Sequence, residues 1–134
     1  MSADDARNSF KFSLAPWLSV RDSARAVAFY KAAFGVVEVY RLEGPEGGVV
    51  SRLSIEGGEF WLSDESPENG NFSPESLGGA TVRMILTVAD PDAVFEQALA
   101  AGASEVFHVA EEYGWRLGRI VDPFGHHWEI GRPL

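Results

Sequence analysis

The sequence predicts an α+β chain built from two tandem βαβββ modules that form an open, mostly antiparallel barrel around a cavity. Three observations predict it. The chain is written twice: LSVRDSARAVAFYKAAFGVVEVY (18–40) has the same pattern as LTVADPDAVFEQALAAGASEVF (86–107). Each half carries one helical stretch followed by three short alternating stretches separated by Gly-rich turns. And 134 residues make one domain's worth of chain, large enough to bury a core.

The elements follow in order. A first strand covers 13–20, and Asp22 stands where a helix N-cap belongs. Arg25 to Phe34 has helical spacing and Gly35 stands at its C-terminal end. Strands at about 36–43, 48–55 and 59–63 complete a first module of about 12–63. The stretch DESPENGNFSPESLGG, 64–79, is rich in Ser, Pro, Asn and Gly and reads as a linker or mobile flap. The second module, about 80–131, repeats the scheme: strand 81–88, cap Asp90, helix Ala93 to Ala101, stop Gly102, strands 104–110, 115–121 and 126–131. Ordered pairs tie the halves together: Leu18, Val20 and Asp22 with Leu86, Val88 and Asp90. Then, one residue out of step, Gly35 pairs with Gly102, Tyr40 with Phe107, Arg52 with Arg119, Gly58 with Gly125 and Trp61 with Trp128. One sheet face of each module is covered by its helix. The other needs cover, and two such faces opposed would enclose a cavity, the natural ligand site.

Composition narrows the partners. A net charge of −9 makes nucleic acid and anionic membrane surfaces poor partners. No apolar run approaches the roughly 20 residues of a membrane helix. The start, MSADDARNSFKF, has no apolar signal core, and the chain has no cysteine, which fits the cytoplasm. A thiol nucleophile and a thiolate metal site are excluded outright.

FYKAAFG (29–35), WLSDESPENGNFSPESLGG (61–79) and YGWRLGRIVDPFGHHWEI (113–130) together resemble the glyoxalase/bleomycin-resistance/extradiol-dioxygenase superfamily, the vicinal oxygen chelate fold. They are most similar to its branch of phosphonate-operon B-like proteins, and the resemblance covers about residues 12 to 131. It implies a homodimer, and in metal-using members four ligand positions, which fall here on Ala15, Leu62, Arg83 and Glu129. Only Glu129 offers a donor, and a guanidinium at Arg83 repels a divalent cation. The expectation is therefore no cofactor. The alternative is one divalent metal on a relocated site that uses His127 and Glu129, which share a strand face. His126 reads as a turn histidine bound to backbone, and His108 as a surface residue.

Matching the repeats assigns further residues to the cavity: Trp17 on the first strand, Arg52 and Arg119 on the third strands, Phe60 and His127 on the last ones, with Trp115 as a lip. Trp61 and Trp128 read as core residues against the helices. The ligand-binding set is thus Trp17, Arg52, Phe60, Arg83, Trp115, Arg119 and His127. Three arginines beside flat aromatics suit a small molecule with an anionic end and an aromatic or apolar body. Two activities stay open. One is a metal-free binder similar to bleomycin-resistance proteins. The other is a metal-dependent lyase, isomerase or dioxygenase using Glu129 and His127, or a metal-free variant with Glu129 as general base.

Overall fold

A computed structural model describes residues 10–134. The leaderless reading of the first residues falls mostly on 1–9, outside the described part. Both halves fold as the sequence predicts, each a βαβββ unit. Strand β1 (Trp17–Val20) leads into helix α1 (Ser23–Phe34), then β2 (Val37–Glu43), β3 (Val49–Ile55) and β4 (Gly58–Asp64). A short helix α2 (Pro74–Leu77) lies in the linker. The second unit is β5 (Arg83–Thr87), α3 (Pro91–Ala101), β6 (Ser104–Glu112), β7 (Trp115–Val121) and β8 (His127–Pro133).

The caps are the ones the sequence marks. Asp22 Oδ1 accepts from the Arg25 amide at 3.2 Å, and Asp90 Oδ1 from that of Ala93 at 3.2 Å. Gly35 ends α1 at φ 67°, a conformation that costs glycine nothing. Each sheet has four strands, in the orders β1-β4-β3-β2 and β5-β8-β7-β6. The β1–β4 and β5–β8 pairs are parallel and the rest antiparallel. No closed barrel forms among the described residues; no strand of one sheet pairs with the other.

The sheets are joined on their helix side. Helix α1 packs on α3, with Gln97 Nε2 donating to the Ala32 carbonyl at 2.9 Å. Tyr30, Phe34, Phe60 and Trp128 form one aromatic cluster across the two units, with Phe124 against Tyr30. At its centre Asp122, 4% exposed, accepts from the amides of Phe124 (2.9 Å) and His126 (3.0 Å), from Trp128 Nε1 (2.9 Å) and from the Tyr30 hydroxyl. Four donors satisfy this buried carboxylate. Burial, then the neighbouring charge of Asp122, pushes the Tyr30 phenol well above its ordinary pKa.

The repeat match fails at one point. Leu53 pairs with Phe60 and Ile120 with Trp128, so the structural counterpart of Trp128 is Phe60 and that of Glu129 is Trp61. The β3–β4 turn is the tight pair Glu56 (φ 49°) and Gly57 (φ 88°), whereas the β7–β8 turn runs through Asp122–His126 and carries one residue more in the repeat count. One residue on a strand flips the side chain to the other face. Phe60 and Leu62, expected in the cavity, are buried in the core, and Trp61, expected in the core, lies on the open face. The open-face assignment of Arg52 and Arg119 holds, since their neighbours Ser51, Leu53, Gly118 and Ile120 are the buried ones. β1 starts at Trp17 rather than at 13, and β8 runs on to Pro133.

Candidate ligand-binding face of the second sheet

Five of the residues marked in the sequence stand on one sheet. β5 supplies Arg83, β7 supplies Trp115 and Arg119, and β8 supplies His127 and Glu129. The register puts Arg83 beside His127 and Arg119 beside Glu129, with Ile85 opposite Glu129 on the other side. Arg119 Nη2 donates to Glu129 Oε1 at 2.7 Å, and Arg83 Nε lies 3.6 Å from the same oxygen. The Arg119–Glu129 pair is mostly shielded from solvent, while Arg83 is more than half exposed. Arg119 also lies over the Phe107 ring, 5.2 Å from its centroid. Its Nε is buried without a partner, as is His127 Nδ1.

Two hollows open on this face and share Ile85. One, about 350 Å³, is lined by Thr81, Arg83, Arg119 and His127 among others. The other, about 230 Å³, is lined by Trp115, Leu117, Leu86 and Glu129. A cationic hollow thus adjoins an apolar one, with a carboxylate that two guanidiniums already engage.

The remaining residues lie elsewhere. Arg52 is on the first sheet, paired with Glu59, its guanidinium 5.5 Å over Trp61. That partner lowers the pKa of Glu59 and raises that of Arg52, through their hydrogen bond first. Trp17 stacks on Trp61 at 5.3 Å and 7° and donates through Nε1 to Ser63 Oγ at 2.9 Å. The expected single cavity with Arg52, Arg83 and Arg119 is therefore not formed: Arg52 lines a separate hollow of about 310 Å³ with Ala15, Glu59 and Trp61. Phe60 leaves the candidate set because it is core. His126 is the turn histidine expected, its Nε2 3.0 Å from the Ser19 carbonyl, and His108 is on the surface.

Sequence reading missed Phe107 and Glu59 as neighbours of the arginines. Phe107 was legible as the counterpart of Tyr40, but bulges in the β6–β7 ladder hide which arginine it meets. Glu59 was hidden by the same one-residue slip that displaced Phe60.

For the divalent metal that the resemblance implies, this face offers two donor side chains, His127 and Glu129. Glu129 is engaged by Arg119, Arg83 brings a second fixed cation, and the counterpart of Glu129 in the first sheet is an indole. Among the described residues no three His, Asp or Glu side chains converge as a metal site requires.

Residues 17–131 match the family model described as a glyoxalase-like domain. An uncharacterised protein of Mycobacterium bovis is 42% identical over 127 residues, covering 91% of this chain and 84% of that one. The crystal structure of the Arabidopsis thaliana At5g48480 product superposes with a TM-score of 0.68 at 32% identity, covering 90% and 96% of the two chains. A glyoxalase/bleomycin resistance protein/dioxygenase family enzyme from Burkholderia phytofirmans reaches a TM-score of 0.72 at 20% identity, covering 92% and 100%, a likeness of fold.

Proposed function

Because the chain belongs to the glyoxalase-like domain family, we propose that it binds, without a metal, a small molecule with an anionic end on an aromatic or apolar body. The open face of the second sheet holds the ligand. The observation that carries this reading is the pairing of Glu129 with both Arg119 and Arg83. Two guanidiniums face one carboxylate, which leaves a surplus positive charge where a metal-using relative would need donors. The anion sits by Arg83 and His127, and the body lies toward Ile85, Leu117 and Trp115. Arg119 is already held over Phe107 and against Glu129, so its guanidinium needs little reordering on binding.

Calorimetric titration of a panel of aromatic carboxylates tests it. Arg83→Ala is expected to weaken the best binder about tenfold or more, the loss of one charge-assisted contact. Unchanged affinity in that variant contradicts the reading.

One observation favours a second reading. His127 Nδ1 is buried without a partner on the same face as Glu129. A site built on His127 and Glu129 would supply a ligand pair for a divalent ion and support lyase, isomerase or dioxygenase chemistry. Metal content by mass spectrometry after dialysis against Zn, Fe, Mn, Ni and Co separates the two: about one ion per chain, lost in Glu129→Ala, favours the second.

Pairing of two chains as a homodimer is part of the proposal. It is supported by Phe10, Phe12 and Leu14, which are 80%, 109% and 100% exposed. Sedimentation of the wild type against a variant with serine at all three positions measures it. A weaker dimer in the variant is expected; an unchanged one contradicts the role of these residues.

A further inference from the structure

Exposed apolar side chains gather around a further concavity that borders the arginine hollow and shares Ala80, Thr81 and Val82 with it. A cleft of about 230 Å³ opens between β1 and the segment leading into β5. Trp17, Phe72, Leu77, Val82, Met84 and His126 are among its walls. Four of these, Trp17, Phe72, Leu77 and Val82, are large apolar residues about half exposed or more, and they meet here from three separate parts of the chain. No Asp, Glu, Lys or Arg lines the cleft, in a chain that is 23% charged. Two of its polar groups have partners: the Trp17 indole donates to Ser63, and His126 Nε2 meets the Ser19 carbonyl.

The roof is fixed in place. Glu65 accepts from the Ser73 amide at 2.9 Å and from Ser76 Oγ at 2.9 Å, and Arg21 Nη2 donates to Ser76 Oγ at 3.2 Å. Pro74 is buried against the β7–β8 turn so closely that a Cβ on Gly125 would come within 2.7 Å of its Cβ. Phe72 and Leu77 are therefore held over the opening by a pinned segment, and the cleft is pre-formed, as ligand sites usually are.

We propose that this cleft, next to the arginine hollow but without its charges, is a second small-molecule site that takes a neutral aromatic molecule of one or two rings. The size decides the class: about 150 Å³ suffices for benzene in a protein interior, so this space holds one ring or two small fused ones. The missing charge decides the rest. A carboxylate or ammonium placed here loses hydration and meets no counter-ion, whereas a ring stacks on Trp17 and packs on Met84 and Val82.

Titration of the full chain with 2-naphthol, followed by calorimetry and tryptophan fluorescence, is the test. One site per chain is expected to saturate below about 1 mM. Leu77→Glu and Phe72→Glu each set a carboxylate at the rim; both positions are exposed and line this cleft but not the arginine hollow, so folding survives while affinity falls about tenfold or more. Arg83 does not line this cleft, so Arg83→Ala is expected to leave 2-naphthol binding within about twofold, which separates this site from the one proposed above. The proposal is overturned by any of three results: no saturable binding, indifference to both glutamates, or an equal loss in Arg83→Ala.

Discussion

Asp122 joins the two halves of the chain through one buried carboxylate. It caps its own turn through two amides, fixes the Trp128 indole, and bonds Tyr30 from the other half of the chain. Removing one partner leaves a buried polar group unsatisfied. Asp122→Ala is expected to destabilise the fold by about 3 kcal/mol or more, and Tyr30→Phe by about 1–2 kcal/mol, both read from denaturant midpoints. The same contact has a signature at high pH. The folded-state pKa of Tyr30 lies above its unfolded value, so its contribution is complete below pH ~10 and is lost as pH rises through the folded value. In an alkaline titration followed by ultraviolet absorbance, one of the three tyrosines should therefore ionise only together with unfolding. Ionisation of all three in a chain that remains folded would contradict this.

At the scale of elements, two features set the shape of each half. One is the pair of capped helices: Asp22→Ala and Asp90→Ala should each cost about 1 kcal/mol, measured by thermal unfolding. The other is close packing of α3 on the second sheet at Gly118. A Cβ there would lie 2.9 Å from the Val109 amide nitrogen and 3.0 Å from Phe95. Gly118→Ala should destabilise by about 1–3 kcal/mol, since backbone cannot yield as a flexible side chain can. The helices and their ends were legible because capping chemistry is local and periodicity is written in the chain. The faces of β4 were not. Aligning Gly58 with Gly125 and Trp61 with Trp128 matched residue types across turns of different length, and only the strand register shows that Phe60 takes the place of Trp128. Sequence likeness between repeats carries no information on which side of a turn an extra residue falls.

At the scale of the whole molecule, the two modules share a core on the helix side and keep two chemically different open faces. The first sheet presents Trp17, Trp61 and an arginine neutralised by Glu59; the second presents Arg83 and Arg119 around Glu129. The duplicated fold was legible in the ordered repeats. The division of the arginines between two faces was not, because it depends on how the sheets join, which no local pattern encodes. No helix among the described residues is long and apolar enough to cross a membrane. Because the anion would sit by Arg83, which is more than half exposed, ligand binding on this face should weaken as salt rises. We propose that this face binds a molecule with an anionic end and an aromatic or apolar body through its arginines and without a metal. The most direct measurement is calorimetric titration of an aromatic carboxylate into protein stripped with EDTA. Saturable binding at one site per chain, unchanged by restoring Zn, Mn or Fe, is the expected result. Binding that is absent from the stripped protein and returns with a metal would contradict the account.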